Sequence, residues 1–249
     1  VKRCISILAL FVSLPCWAGR SFNGTSDIII VPAVGNALDL SSGPMTISFW
    51  FYPTVIPTSG SHYPIAHYAS NGGQFAVGFG ACSGGCSSSS VLGYLIGTYA
   101  AETGVFGSCG VYTANAWYQV TIFVDTAGTI HGSPTAGQIV SGGDSCSTFT
   151  AFRENRVVGA GNFDIGGIEG AADFQGVVAE VGVWNALLSP AEMSALQTVC
   201  PASIRRTALV GYFPLWGASG TSIEPDLSGN RNNGALTGTG AANHAPCKP

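Results

Sequence analysis

Charge is scarce in this chain. Only 9% of its 249 residues are Asp, Glu, Lys or Arg, against about 25% in an ordinary globular domain. With 9 basic residues, 13 acidic ones and a formal charge of −4, there is no Lys/Arg stripe to neutralise phosphates, which argues against a nucleic-acid partner. The poverty of Lys argues equally against an anionic membrane surface. Long apolar runs are missing too. The stretch from Cys4 to Leu14 falls short of the ~20 residues that a spanning helix needs, and the run opening at Ile28 is broken by Pro32, so no membrane insertion is expected. Catalytic strings are also lacking. There is no Glu-x-Asp-x-Glu of the kind that sets two carboxylates on one strand face for glycoside hydrolysis. Neither Gly-x-Ser-x-Gly nor a His-x-x-x-His pair occurs, the histidines standing at 62, 67, 131 and 244.

What the chain does have is apolar and turn-forming. Hydrophobic residues make up 46%, with 35 Gly and 13 Pro, and the mean hydropathy is +0.34. That is enough apolar material for a core, and it argues against intrinsic disorder. Lys2-Arg3, the apolar run and Cys16-Trp17-Ala18 follow the layout of a secretory signal, with cleavage expected after Ala18. A lipoprotein acylated at Cys16 is the alternative, weakened by Pro15 before it. The expected location is extracellular or periplasmic, with residues 19–249 as a single domain. Six cysteines then remain: Cys82, Cys86, Cys109, Cys146, Cys200 and Cys247. An even number in an exported chain reads as disulfides, whose pairing the sequence leaves open. Pairing Cys82–Cys86, Cys109–Cys146 and Cys200–Cys247 closes contiguous segments, an entropic motive alone.

Alternation with period two predicts strands throughout. Met45–Tyr52 sets Ile47, Phe49 and Phe51 against Thr46, Ser48, Trp50 and Tyr52. Over 117–125, Tyr118, Val120, Ile122 and Val124 oppose Trp117, Gln119, Thr121 and Phe123, and the turn 125–128 returns the chain as a hairpin. Over 173–185, Val177, Ala179, Val181 and Val183 oppose Val178, Glu180, Gly182 and Trp184. Further strands are expected at 27–31, 75–79, 92–99, 105–112, 156–159 and 209–215, with a Gly/Ser surface loop at 81–90. Ser189-Pro190-Ala191-Glu192 is a capping box with Pro at the first helical position, predicting one short helix ending near Thr198. Many short strands between Gly-rich turns make an all-β, two-sheet antiparallel jelly-roll sandwich.

Three ordered strings resemble the laminin-G-like branch of the concanavalin A-like lectin/glucanase superfamily. They are Phe22-Asn-Gly-Thr-Ser-Asp-Ile-Ile-Ile-Val31, Met45-Thr-Ile-Ser-Phe-Trp-Phe-Tyr-Pro53, and Phe174 to Asn185 with the Ala-Leu-Leu-Ser-Pro-Ala-Glu192 that follows. The resemblance implies the same jelly roll. Leu209–Leu215 and Asp226–Gly238 look like the block that usually opens such a domain, yet here they close the chain. Residues 205–249 are therefore either a permuted segment pairing beside the first strand or the start of a second domain.

Without a carboxylate pair, a non-catalytic recognition role is expected, toward an extracellular carbohydrate or glycoprotein. The alternative is a structural or adhesion component of an envelope or virion. Trp50, Tyr52, Trp117 and Trp184 lie on the less apolar parity of their strands, where rings can stack on sugars. Calcium is the cofactor admitted by the alternating oxygens Asp226-x-Ser228-x-Asn230-x-Asn232, and the resemblance implies a site at the sandwich rim. Asp226, Asn230, Glu180 and Asp27 are the candidate ligands. The competing reading of the Asp226 string is a tight Asx turn.

Overall fold

A computed structural model describes residues 19–33, 37–40, 43–56, 61–68, 75–80, 92–96, 113–124, 130–132, 161–168, 174–216, 222–238 and 240–241. The expected signal segment 1–18, the 81–90 loop, the strands at 105–112 and 156–159 and the turn at 125–128 lie outside them, as do all the cysteines except Cys200.

In chain order the strands are β1 (Arg20–Asn23), β2 (Ile28–Pro32), β3 (Met45–Pro53), β4 (Ser61–Tyr68), β5 (Phe75–Gly80), β6 (Leu92–Ile96), β7 (Tyr118–Val124), β8 (Ile130–Gly132), β9 (Asn162–Ile165) and β10 (Gln175–Trp184). After the helix α1 (Pro190–Ala195) come β11 (Leu209–Phe213), β12 (Ile223–Glu224), β13 (Gly234–Thr237) and β14 (Gly240–Ala241). They form two seven-stranded antiparallel sheets. The first runs β14-β1-β10-β3-β7-β8, with β11 also paired to β10, and the second runs β12-β13-β2-β9-β4-β5-β6. The expected jelly-roll sandwich with one short helix is what the chain forms.

Parity explains the core. Ile47, Phe49 and Phe51 of β3 and Tyr118, Val120 and Ile122 of β7 point inward, meeting Ile29, Val31, Ile65, Phe163 and Ile165 of the second sheet. Phe163 and Phe213 stack across the two sheets with ring centroids 6.1 Å apart. In β10 the alternation breaks. Ala179 pairs with Trp50 and Gly182 with Ser48, so Glu180 and Val181 together oppose Phe49, a β-bulge with Glu180 at φ 55°. The core therefore takes Val178 before the bulge but Val181 and Val183 after it. The unbroken alternation expected over 173–185 is corrected: Val177 and Ala179 do not share a face with Val181 and Val183. A bulge adds one residue without changing composition, so periodicity alone does not reveal it.

Beside β10, two strands share one lane. β1 pairs with its first half and β11 with its second half, and Gly19 N–H donates to the Leu215 carbonyl at 2.8 Å where they meet. β13 and β14 pair with β2 and β1. The block after residue 205 thus contributes to both sheets.

A second apolar layer covers part of the outer face of the first sheet. Trp184, Phe123 and Tyr212 pack under Leu188, Met193, Leu196 and Ile204 of the 186–208 connection. Thr46 ties that connection down, its Oγ1 donating to the Ala186 carbonyl at 2.8 Å and accepting from Leu188 N–H at 3.1 Å. The capping box forms as expected: Ser189 Oγ accepts from Glu192 N–H and the Glu192 carboxylate accepts from Ser189 N–H. Gly182 lets this layer close down, because a Cβ there would lie 2.5 Å from the Trp184 ring and 2.7 Å from Pro201. Gly182→Ala is expected to lower stability by about 1–3 kcal/mol, the usual cost of overpacking. A chemical-denaturation midpoint shift at unchanged slope checks it, and an unaltered midpoint would show that the layer yields freely.

Candidate functional site

Beyond the part of the outer face that the 186–208 connection covers, the first sheet carries further aromatic side chains. Trp50 and Tyr52 alternate outward from β3 and Trp117 precedes β7, all three half-buried, with the Tyr52 and Trp117 ring centroids 5.4 Å apart. Beneath them lies an uncharged network. Gln119, directly across from Trp50, donates through Nε2 to Ser48 Oγ at 2.9 Å, and Thr121 Oγ1 donates to the same oxygen at 3.0 Å. Gln119 Oε1 is buried and has no hydrogen-bond partner among the described residues. The row thus combines flat apolar rings with amide and hydroxyl groups and no charge of its own.

Trp184 does not belong to it. Its indole is 0% exposed, and Nε1 donates to the Ile204 carbonyl at 2.9 Å. The expectation that Trp184 offers a ring face is corrected: the helix seals that end of the sheet. Outward parity was legible in the sequence, but the cover over it was not.

Glu180 stands at the bulge on the same outer side. It is 3% exposed, with Oε2 accepting from Tyr212 O–H at 2.7 Å and Oε1 from Trp216 Nε1 at a long 3.4 Å. Burial pushes its carboxyl above the usual carboxylate range, and the bonds from Tyr212 and Trp216 only partly restore it. A raised native pKa means that the folded state holds the proton longer than the unfolded chain does. Its contribution to stability is therefore complete below the ordinary carboxylate pKa and is lost as pH climbs through the elevated one. Glu180→Gln, which removes the titration, is expected to gain stability relative to the parent as pH rises from acid toward neutral. Melting temperatures of the two proteins across that range check this; parallel curves would remove Glu180 as a source of pH dependence.

The four proposed calcium ligands are not brought together. Asp27 accepts from the Asn23 N–H at the β1–β2 turn. Asp226 is encircled by donors: Oδ1 takes Tyr212 N–H at 2.9 Å and Ser228 N–H at 2.8 Å, while Oδ2 takes Ser228 Oγ at 2.9 Å and Asn232 N–H at 2.9 Å. Asn230 turns its amide nitrogen toward the Leu209 and Val210 carbonyls. These donors satisfy a carboxylate, whereas a cation needs converging oxygens, so the Asp226 loop fits the turn reading. Among the described residues no cluster of three His, Cys, Asp or Glu side chains is placed to hold a metal. Cys200 is disulfide-bonded, and its partner lies outside the described residues.

Three residues of this face escaped the sequence reading. Tyr212 and Trp216 sit in the C-terminal block, far from β10 in the chain, and only the β10–β11 pairing brings them to Glu180. Gln119 carried no signal beyond its parity. Between the sheets, Arg20 Nε binds Glu224 Oε2 at 2.7 Å with both side chains 1% exposed. Burial pushes Glu224 up and Arg20 pulls it back down.

No curated protein sequence matches the chain. Among solved structures it resembles a Bacteroides ovatus protein named for an inferred carbohydrate-binding role, at 17% identity and TM-score 0.63, over 94% of this chain and 61% of that one. It also resembles the native heptameric SAP-like pentraxin of Limulus polyphemus, at 16% identity and TM-score 0.51, over 74% of this chain and 82% of that one. Domain 4 of AbnA, an extracellular arabinanase of Geobacillus stearothermophilus solved with arabinotriose, matches at 15% identity and TM-score 0.50, over 71% and 74%. At such identities the likeness is one of fold, and this chain spans only 61% of the Bacteroides protein's length. Among the described residues no helix is long and apolar enough to cross a membrane. A family model matches residues 23–194, from the end of β1 into α1, and with the two facing sheets it makes this chain a member of the concanavalin A-like lectin/glucanases superfamily.

Proposed function

We propose that this chain is an exported, non-catalytic recognition module that binds carbohydrate on the outer face of its first sheet. The observation that carries the reading is the Tyr52–Trp117 pair, with rings 5.4 Å apart and half-buried, beside Trp50 and above the uncharged Gln119–Ser48–Thr121 network. Aromatic faces bury the apolar C–H side of a sugar ring, and the buried Gln119, Ser48 and Thr121 side chains support the rings from beneath. Structural relatives named for sugar binding or solved with an oligosaccharide support the same class of ligand. Two of the buried carboxylates are occupied structurally, Asp226 by four donors and Glu180 by Tyr212 and Trp216. That favours recognition over hydrolysis.

The test is a glycan array probed with residues 19–249 and with Trp117→Ala. Binding is expected for the parent protein and a loss of about tenfold or more for the variant, the effect of removing roughly 1.4 kcal/mol of contact. Concentration-dependent self-assembly without sugar binding would instead support a structural or adhesion role.

A further inference from the structure

We infer that the binding face extends across β10 to Trp216 and Glu180, so that the ligand is a neutral oligosaccharide lying across the strands. This rests on the sugar-binding reading above.

Successive lanes of the first sheet carry the row. Trp117 stands at the start of β7, Tyr52 and Trp50 lie on β3, Glu180 is in β10, and Trp216 lies just beyond β11. Trp50 is paired with Ala179, the residue before Glu180. Strands sit about 4.8 Å apart, so the row from the β7 lane to the β11 lane spans about 14 Å, longer than a single sugar ring. Tyr212 anchors the Glu180 carboxylate on the outer side, since it pairs with Gly182 and packs with Trp184 in the outer layer.

The far end of the row has features that packing alone does not require. Trp216 is 50% exposed although its chain neighbour Leu215 is fully buried. Both Glu180 (φ 55°) and Leu215 (φ 63°) adopt the left-handed conformation that L-residues other than Asn and Asp avoid. The two strained positions thus bring an open indole and a buried carboxylate together. Within that carboxylate Oε2 takes a short hydrogen bond from Tyr212 O–H. Oε1 takes the longer contact from Trp216 Nε1, so the buried carboxylate positions the indole whose exposed face stacks on the sugar ring. None of the residues of this row, Trp117, Tyr52, Trp50, Glu180 and Trp216, carries a positive charge to pair with an acidic sugar, which is why the ligand class is neutral.

The experiment compares the parent protein with Trp216→Ala, Trp216→Phe, Glu180→Gln and Trp117→Ala on one array of neutral glycans graded from single sugars to oligosaccharides. Thermal melts establish that each variant is folded; Trp216, being half exposed, is not needed for the core. Trp216→Ala is expected to weaken oligosaccharides about tenfold while leaving single sugars unchanged, with Trp216→Phe recovering most of the loss and Glu180→Gln losing less than the alanine variant. Trp117→Ala should weaken both lengths. If Trp216→Ala and Glu180→Gln bind every glycan like the parent while Trp117→Ala does not, the extension is overturned and the sugar-binding reading stands. If the loss in Trp216→Ala is equal for single sugars and long chains, the transverse span is overturned. A parent protein that binds no glycan overturns both.

Discussion

A chain ending at Ile204 is expected to show no cooperative melt. Truncation there removes β11, β12, β13 and β14 together with the buried side chains of Leu209, Val210, Phe213 and Leu215. Each fully buried apolar side chain of this size contributes about 1.5–3 kcal/mol. Four of them match the whole stability of an ordinary domain, about 5–15 kcal/mol. Other losses follow from the same cut. Phe163 loses its stacking partner, Glu180 loses Tyr212, and half the length of β10 is left with an unpaired edge. Circular dichroism on heating and proteolysis of the truncated and full chains make the comparison. A truncated chain that melts at the parent's temperature would show that the last block is an accessory to a self-sufficient sandwich.

Arg20→Met is expected to cost about 3–5 kcal/mol near neutral pH, because it strands the Glu224 carboxylate between two sheets. The pair joins β1 of the first sheet to β12 of the second at 2.7 Å, in a region where neither side chain sees water. Without Arg20 its pull on Glu224 is gone and burial is opposed only by the Leu215 backbone hydrogen bond, so the acid takes up a proton in the folded state at higher pH. The loss should therefore shrink as pH falls toward the ordinary carboxylate range and grow as pH rises. Replacing both partners by methionine should restore most of the stability, since a buried pair often roughly breaks even against apolar residues of similar volume. Denaturation of the two single variants and the double variant, at acid and neutral pH, completes the cycle. A single-variant cost independent of pH would remove Glu224 as its cause.

The sequence disclosed the elements whose signals are local. β3 alternates cleanly, and its inward residues Ile47, Phe49 and Phe51 all enter the core. The capping box at Ser189 marked the helix, which is shorter than expected, Pro190–Ala195 with the chain turning on to Thr198. Strands with little pattern of their own escaped. β9 is four residues flanked by Gly161 and Gly166, and it is recruited by β2 and β4 on either side. The site was legible in part. Alternation places Trp50, Tyr52 and Trp117 outward, but it places Trp184 there equally. What separates them is a connection folding back over one end of the sheet, a tertiary event. Glu180 was visible as an isolated acid; that it sits in a bulge against Tyr212 and Trp216 depends on pairing with a strand some thirty residues away in the chain. The polar residues of the Asp226 loop have the composition of a cation site and the geometry of a turn, and only the direction of the surrounding N–H groups tells the two apart.

The lane shared by β1 and β11 also bears on how the molecule is made. One side of β10 is completed partly by the first described strand and partly by one that follows the helix, which meet at Gly19 and Leu215. On the ribosome, β10 emerges with only the β1 half of that side available and waits for β11, while β2 waits for β13. Contacts of this sequence separation carry a high loop-closure cost and form late. The sandwich thus closes only once the strands through β14 have been synthesised, so β10 and β2 stay incompletely paired for most of the time this region takes to emerge.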